Sequence, residues 1–179
     1  TATVMNSTIQ RASIYTTKLL RRGIDIEAGR ERHLLSHMLV KEVMTRDFVT
    51  IPQSMTLSSI LWTFKTENAP YLHVVDEDQR LTGIISFRDL RAVLNEEGLA
   101  DLLIAHDLAT HNPVTVTTDD TLQDALDKIT DRGVSQLPVL STGKDPKVVG
   151  TLTELAIDAA YNSATVKAEI AEGPNHDAL

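Results

Sequence analysis

The sequence predicts an α+β fold made of two pseudo-symmetric β-α-β-β-α units that follow a helical N-terminal extension. The main observation is an internal repeat: residues 43–75 match residues 108–140 at an offset of 65, and after a two-residue insertion residues 83–86 match 150–153. Within each copy, apolar residues first alternate as in a strand and then recur at helical spacing. One unit of about 55 residues is too small to bury a good core alone. We therefore expect the two copies to pack together.

The N-terminal extension differs in charge from the rest of the chain. Residues 1–41 carry a net charge of +4, whereas residues 42–179 carry −12. The extension contains a basic cluster made by Lys18, Arg21 and Arg22. Such a cluster suits the cytosolic face of a membrane, although a solvated linker would have the same composition. The acidic body argues against a nucleic-acid-binding surface. Residues 27–41 are predicted to be helical, with one face made by Leu34, Leu35 and Met38.

The first strand and the first helix of each copy follow from the spacing of apolar residues. The strand residues that alternate with polar neighbours are Val49 and Ile51 in the first copy and Val114 and Val116 in the second. The helical residues at i, i+3, i+4 and i+7 are Leu57, Ile60, Leu61 and Phe64, and then Leu122, Ala125, Leu126 and Ile129. Thr121 with Asp124 three residues later is a capping box that starts the second of these helices.

Two further strands and a closing helix complete each copy. The predicted strands are residues 72–75 and 81–85 in the first copy and residues 137–140 and 148–152 in the second. A polar turn joins the strands of each pair, and the closing helices open at Phe87 and Glu154. The predicted divisions of the chain are a membrane-proximal linker with a helix at 1–41, copy 1 at 42–96, a linker at 97–107, copy 2 at 108–162 and a flexible tail at 163–179.

Composition narrows the classes of function. The chain has no cysteine, which excludes disulfides, thiolate zinc sites and cysteine nucleophiles. No Ser–His–Asp order, paired-carboxylate motif or phosphate-cradling glycine loop stands out, so we expect neither enzymatic activity nor a catalytic cofactor. His33 and His37 lie one helical turn apart but lack a third ligand, so no metal site is predicted. No segment reaches the roughly 18–20 apolar residues of a membrane span.

The repeat contains four landmark segments. They are Val43-Met44-Thr45, Leu108-Ala109-Thr110, the run Gly-Val-Ser-Gln-Leu-Pro-Val at 133–139 and the run Gly-Ile-Ile-Ser-Phe-Arg-Asp at 83–89. Over roughly residues 40–161 this ordered set resembles a tandem pair of CBS (cystathionine β-synthase type) domains, also called a Bateman module. The resemblance implies a regulatory attachment that commonly forms homodimers. It also implies a regulatory adenosine ligand: AMP, ADP, ATP or S-adenosylmethionine.

The resemblance also implies which residues bind the ligand. Ser86-Phe87-Arg88-Asp89 matches the Ser/Thr-x-x-Asp element of the family, which reaches across to the base pocket of the other copy. Asp89 would bond the ribose hydroxyls, Ser86 would assist, and Arg88 would contact phosphate. The implied base pocket in copy 2 consists of Thr110, Val114, Val134, Ser135 and Pro138.

The same tetrapeptide has a purely structural explanation. Ser-x-x-Asp after a strand is also a capping box, with Ser86 at N-cap and Asp89 at N3. Thr121 and Asp124 show that the chain uses this device elsewhere. The two explanations remain open at this stage.

Copy 2 departs from the family pattern. It carries Ala156 where the Asp is expected, with Glu154 as a weak substitute, and the matching pocket in copy 1 would be residues 68–71. The resemblance therefore implies that this pseudo-symmetric site has lost its ribose anchor. We expect each chain to bind at most one nucleotide.

A second resemblance concerns the host protein. Residues 13–24 (Ser-Ile-Tyr-Thr-Thr-Lys-Leu-Leu-Arg-Arg-Gly-Ile) and residues 103–108 (Leu-Ile-Ala-His-Asp-Leu) are similar to stretches of prokaryotic ClC-type chloride channels and transporters. This similarity implies the cytosolic domain of an integral membrane protein, attached to a transmembrane ClC-type domain whose ion transport it modulates. Two alternatives are a ligand-free dimerisation module and the regulatory pair of another transporter or enzyme.

Overall fold

Two β-sheets, one for each copy of the repeat, form the centre of the computed structural model, which describes residues 26–94 and 102–172. The first stretch forms α1 (Ile26–Leu35), α2 (Val40–Val43), β1 (Val49–Pro52), α3 (Leu57–Glu67), β2 (Tyr71–Val75), β3 (Leu81–Ser86) and α4 (Phe87–Leu94). The second forms α5 (Ala105–Leu108), β4 (Thr110–His111), β5 (Val116–Thr117), α6 (Leu122–Arg132), β6 (Gln136–Leu140), β7 (Val148–Thr153) and α7 (Glu154–Glu172). The predicted α+β fold with two β-α-β-β-α units is confirmed.

The two sheets have the same internal order. In copy 1, β1 pairs with β2 in parallel and β2 pairs with β3 antiparallel. In copy 2, β5, β6 and β7 repeat this pattern. Even the irregularities match, because each antiparallel pair has a register shift at the equivalent place, Val74/Val75 and Val139/Leu140. The two-residue insertion of copy 2 falls in the following turn and leaves the register undisturbed.

Each copy has its own apolar core beneath the amphipathic helices predicted from spacing. In copy 1, Leu57, Ile60 and Phe64 of α3 are buried against the sheet. The corresponding core of copy 2 contains Leu122, Ala125, Leu126 and Ile129. The capping box at the start of α6 is present, since Thr121 Oγ1 donates to Asp124 Oδ2 at 2.7 Å and accepts from the Asp124 N–H at 3.1 Å.

The copies exchange their leading segments. Strand β4, which precedes the rest of copy 2, pairs antiparallel with β3 of copy 1. Symmetrically, Thr45 forms an isolated bridge with Thr151 in β7. The buried residues follow the same exchange, because Val40 belongs to the core of copy 2 and Ala105 to the core of copy 1. Neither copy therefore completes its sheet or its core without the other.

Two glycines permit this exchange. A Cβ at Gly83 would lie 2.7 Å from Ala109 Cβ, and a Cβ at Gly150 would lie 2.6 Å from the Thr45 carbonyl oxygen. Both distances are shorter than ordinary contacts, so only a residue without a side chain lets the exchanged segment approach the strand. The repeat carries glycine at both equivalent positions for the same steric reason.

Two sequence predictions need correction. The helix predicted at 27–41 ends at Leu35, because the chain then turns so that the Val40 N–H can donate to the Asp120 carbonyl at 2.9 Å. The flexible tail predicted at 163–179 is helical as far as Glu172, since no Gly or Pro interrupts α7 before Gly173. The basic cluster, residues 13–24 and the turn at 95–98 lie outside the described residues. None of the described helices is both long and apolar enough to cross a membrane.

Candidate functional site

A cleft of about 970 Å³ lies between the two copies. Its walls come from the β3–α4 junction of copy 1, and from the segment after β4 and the α6–β6 connection of copy 2. All eight residues predicted from the sequence line it: Ser86, Arg88, Asp89, Thr110, Val114, Val134, Ser135 and Pro138. The volume falls in the range of small-molecule sites, which span about 300–1,000 Å³.

The copy 1 wall is a strand-to-helix junction that holds one carboxylate in place. Asp89 Oδ2 accepts the Ser86 backbone N–H at 2.8 Å and the Ser86 hydroxyl at 2.7 Å. The capping explanation therefore describes the hydrogen bonds that are present. A carboxylate can accept about four such bonds, and no bond to Asp89 Oδ1 is found within residues 26–94 and 102–172. Capping thus fixes a side chain that lines the cleft and leaves part of its acceptor capacity unused.

Comparison with α6 shows what sets this junction apart. Asp124 Oδ2 accepts from Thr121 N–H at 3.2 Å and from Thr121 Oγ1 at 2.7 Å, the same arrangement as at Asp89. Asp124 does not line the cleft, whereas Asp89 does. The tetrapeptide geometry alone therefore does not identify a ligand site; its position in the cleft does.

The copy 2 wall depends on a left-handed turn at the end of α6. Gly133 has φ +63° and ψ +33°, a conformation that glycine adopts without steric cost. Its N–H donates to the Ile129 carbonyl, and the Val134 N–H donates to the same oxygen at 3.2 Å. This turn presents Val134 and Ser135 as exposed residues before β6 begins. The exposed apolar side chain of Val134 suits contact with a flat heteroaromatic ring.

Pro138 lies in the central strand of its sheet, where proline is unusual. The partner strand β5 pairs with β6 only at Val139 and Leu140. The sheet is therefore open beside Pro138, and this opening contributes to the cleft.

Sequence reasoning missed two cleft residues with useful chemistry. Tyr71 was assigned with residues 68–71 to the pseudo-symmetric pocket, but both Pro70 and Tyr71 line this cleft. The pairing of β2 with β3 explains this position, because Tyr71 is directly opposite Ser86. The Tyr71 hydroxyl lies 3.3 Å from Ser135 Oγ, which links the two copies across the cleft. Arg132, the last residue of α6, is the second omission.

The pseudo-symmetric position has different chemistry. The Ala156 N–H is capped by Thr153 Oγ1 at 3.1 Å, so the helix start is preserved without a carboxylate. Leu155, 78% exposed, replaces Arg88. His73 occupies the position of Pro138 in the repeat and is 1% exposed. Burial lowers the pKa of His73, whereas the 3.2 Å contact of its Nδ1 with the Val49 carbonyl acts in the opposite direction and raises it.

No metal centre is evident among the described residues, where no group of three or more His, Asp or Glu side chains is arranged to hold an ion. His37 Nδ1 lies 2.7 Å from the His33 carbonyl, so the histidine pair of α1 is engaged locally.

Known proteins match about three quarters of the chain. It is 28% identical over 141 residues to homoserine O-acetyltransferase of Methanosphaera stadtmanae, covering 76% of this chain and 27% of that protein. It is 31% identical over 134 residues to the magnesium transporter MgtE of Enterococcus faecalis, covering 71% of this chain and 28% of the transporter. The chain thus spans little more than a quarter of the length of these relatives.

Solved structures show the same fold. The structure of CBSX2 in complex with AMP is 26% identical with a TM-score of 0.61, covering 73% of this chain and 98% of CBSX2. The CBS domain pair of protein MJ0100, in complex with 5′-methylthioadenosine and S-adenosyl-L-methionine, is 22% identical with a TM-score of 0.60, covering 71% and 98%. The family model for the CBS domain matches residues 40–96 and again residues 104–162, so the chain belongs to the CBS-domain family as a tandem pair.

Proposed function

We propose that this CBS pair is the regulatory, non-catalytic module of a longer protein and that it binds one adenine nucleotide per chain in the cleft between its copies. The observation that carries the proposal is the position of Asp89, which is held by Ser86 at the cleft wall with acceptor capacity remaining. Such a carboxylate can take both hydroxyls of a ribose. The AMP complex of CBSX2, a relative of similar fold, supports an adenosine ligand.

The two walls divide the recognition of such a ligand. On copy 1, Asp89 and Ser86 take the ribose and Arg88 lies on the same helix start for the phosphate. On copy 2, Val134 and the region of Pro138 contact the base. One ligand therefore touches both copies and can change the angle between them. Regulation follows if the ligand binds one angle more tightly than another.

The missing groups at the pseudo-symmetric position limit the stoichiometry. Ala156 provides no ribose acceptor, and Leu155 provides no cation for phosphate. We therefore propose that each chain binds one nucleotide.

Isothermal titration calorimetry of the chain with AMP, ADP and ATP tests this proposal. Asp89→Ala is expected to abolish binding, whereas Asp124→Ala, which removes the same capping arrangement outside the cleft, is expected to retain it. Retained affinity in Asp89→Ala would refute the site. Absence of binding to wild type would leave the pair as a ligand-free dimerisation module.

The kind of host is also part of the proposal. The matched relatives include a magnesium transporter and a homoserine O-acetyltransferase, which support a host that is another transporter or enzyme. The ClC-type chloride channel or transporter, with the module on the cytosolic side of the membrane, rests on the resemblance of residues 13–24 and 103–108. The coding sequence upstream of Thr1 distinguishes them, because a ClC-type host requires a series of hydrophobic membrane helices there, which hydropathy identifies.

Homodimerisation completes the proposal. Trp62 on α3 of copy 1 is 65% exposed and does not line the cleft. Aromatic side chains are enriched in protein–protein interfaces. A second copy of the chain is the partner we propose for Trp62.

A further inference from the structure

The cleft contains two arginines that have no ion-pair partner within the described part of the chain. Arg88 is at the start of α4 in copy 1, and Arg132 is the last residue of α6 in copy 2. Both side chains are exposed. In contrast, Arg80 outside the cleft bonds Asp78 and Asp145. Unpaired guanidinium groups are conspicuous here because residues 42–179 have an excess of acidic side chains.

The cationic pair is confined to one of the two pseudo-symmetric positions. The repeat offset places Glu67 at the position of Arg132 and Leu155 at the position of Arg88. The same position lacks the ribose carboxylate, since Ala156 replaces Asp89. The cations therefore accompany the carboxylate in this chain, as expected if they serve the same ligand.

From this arrangement we infer that Arg132, together with Arg88, selects the charge of the ligand, so that the cleft takes a phosphorylated adenosine in preference to adenosine or S-adenosylmethionine. The inference rests on the proposed function and specifies its ligand class. A phosphate monoester carries a charge of about −1.5 to −2 at pH 7, and the planar guanidinium fork matches phosphate oxygens well. S-adenosylmethionine instead brings a positively charged sulfonium to these arginines.

The two arginines come from different copies, so a phosphate bound between them would affect how the copies are held together. Arg88 moves with the β3–α4 junction and Arg132 with the end of α6. A phosphate that bonds both would connect the copies, whereas adenosine would contact them only through the ribose and base. The opposing charges in the cleft are Asp89, which is assigned to the ribose, and Glu154 at the start of α7. Glu154 would favour a cationic ligand.

Arg132 also has a simple structural role, because a base in the last turn of a helix complements the helix dipole. Lys65 has this role at the end of α3 and does not line the cleft, so it provides a matched control. Removing Lys65 therefore reports the dipole effect without the ligand effect.

The test is calorimetric titration of wild type, Arg132→Ala, Lys65→Ala and Asp89→Ala with AMP, adenosine and S-adenosylmethionine. Wild type is expected to bind AMP at least tenfold more tightly than the other two ligands. Arg132→Ala should lose about tenfold affinity for AMP and leave adenosine affinity unchanged, because charge-assisted bonds to phosphate are the ones removed. Lys65→Ala should match wild type.

Three results would overturn the inference. Equal wild-type affinities for AMP and adenosine would show that phosphate is not recognised. Equal weakening of AMP and adenosine by Arg132→Ala would show a structural effect. Tighter binding of S-adenosylmethionine than AMP would show that the carboxylates of the cleft, and not the arginines, set the ligand charge. Adenine ligands that bind independently of Asp89, or that do not bind at all, would instead remove the proposed function and the inference with it.

Discussion

Gly83→Ala tests the exchange of segments on which the shape of the cleft depends. The new Cβ would lie 2.7 Å from Ala109 Cβ and 3.1 Å from the Thr110 carbonyl oxygen. Carbon atoms at optimal separation are about 3.5–4.0 Å apart, so β3 and the exchanged segment must separate by roughly 1 Å. Overpacking of this kind costs about 1–3 kcal/mol. For a chain of this size each kcal/mol corresponds to about 2–4 °C in Tm, which gives a decrease of roughly 2–12 °C.

Differential scanning calorimetry measures this effect against two controls. Gly29 is in α1 with nothing within 4 Å of an added Cβ, so Gly29→Ala should raise Tm slightly through better helix propensity. Ala109→Gly in the Gly83→Ala background should recover part of the loss, because it removes the nearer contact. A coupling of at least about 0.5 kcal/mol is expected for residues in contact. A Gly83→Ala Tm within 1 °C of wild type, or zero coupling with position 109, would refute the close approach.

Three further predictions each concern one side chain. Burial lowers the pKa of His73 below its usual value of 6.5, and this effect is larger than the opposite effect of the Val49 carbonyl. Because the unfolded chain binds a proton at His73 more readily than the folded chain, the free energy of unfolding should fall as the pH drops below about 6.5. Denaturant titration between pH 5 and 8 should show this slope, and His73→Leu should flatten it; an equal slope in both proteins would contradict the assignment. Asp145→Asn, which removes the 2.7 Å exposed ion pair with Arg80, should lower Tm only slightly and only at low salt, and a loss that persists at 1 M NaCl would contradict a screened surface pair. Trp62→Glu should weaken self-association in sedimentation experiments without lowering Tm, since the side chain is 65% exposed, and unchanged sedimentation would exclude it from a dimer contact.

The helices and strands were predictable because each copy has the same short-range sequence signals at matching positions. The apolar positions of α3 and α6, and the Thr121–Asp124 box, act within one or two helical turns and need no distant partner. The end of α1 was missed because it depends on a non-local bond between Val40 and Asp120. The exchange of leading segments was also not predictable from spacing, since it requires that β4 pair with a strand of the other copy.

The residues that occupy matched positions of the repeat were predicted correctly as cleft residues. Strand ends and the Gly133 turn bring the eight expected residues into one cleft, as the resemblance implied. Tyr71 was assigned only to the pseudo-symmetric pocket because it lies beside Pro70 in the repeat, whereas its pairing opposite Ser86 puts it in this cleft. Arg132 carried no motif signal, because a base at a helix end is common for reasons unrelated to ligands.

The most direct test of the central claim is a crystal structure of the chain grown with AMP. The account predicts one AMP per chain in the cleft between the copies, with both ribose hydroxyls on the Asp89 carboxylate and the base beside Val134. AMP at the Thr153–Ala156 helix start, AMP at both positions, or a cleft that stays empty at saturating AMP would contradict it.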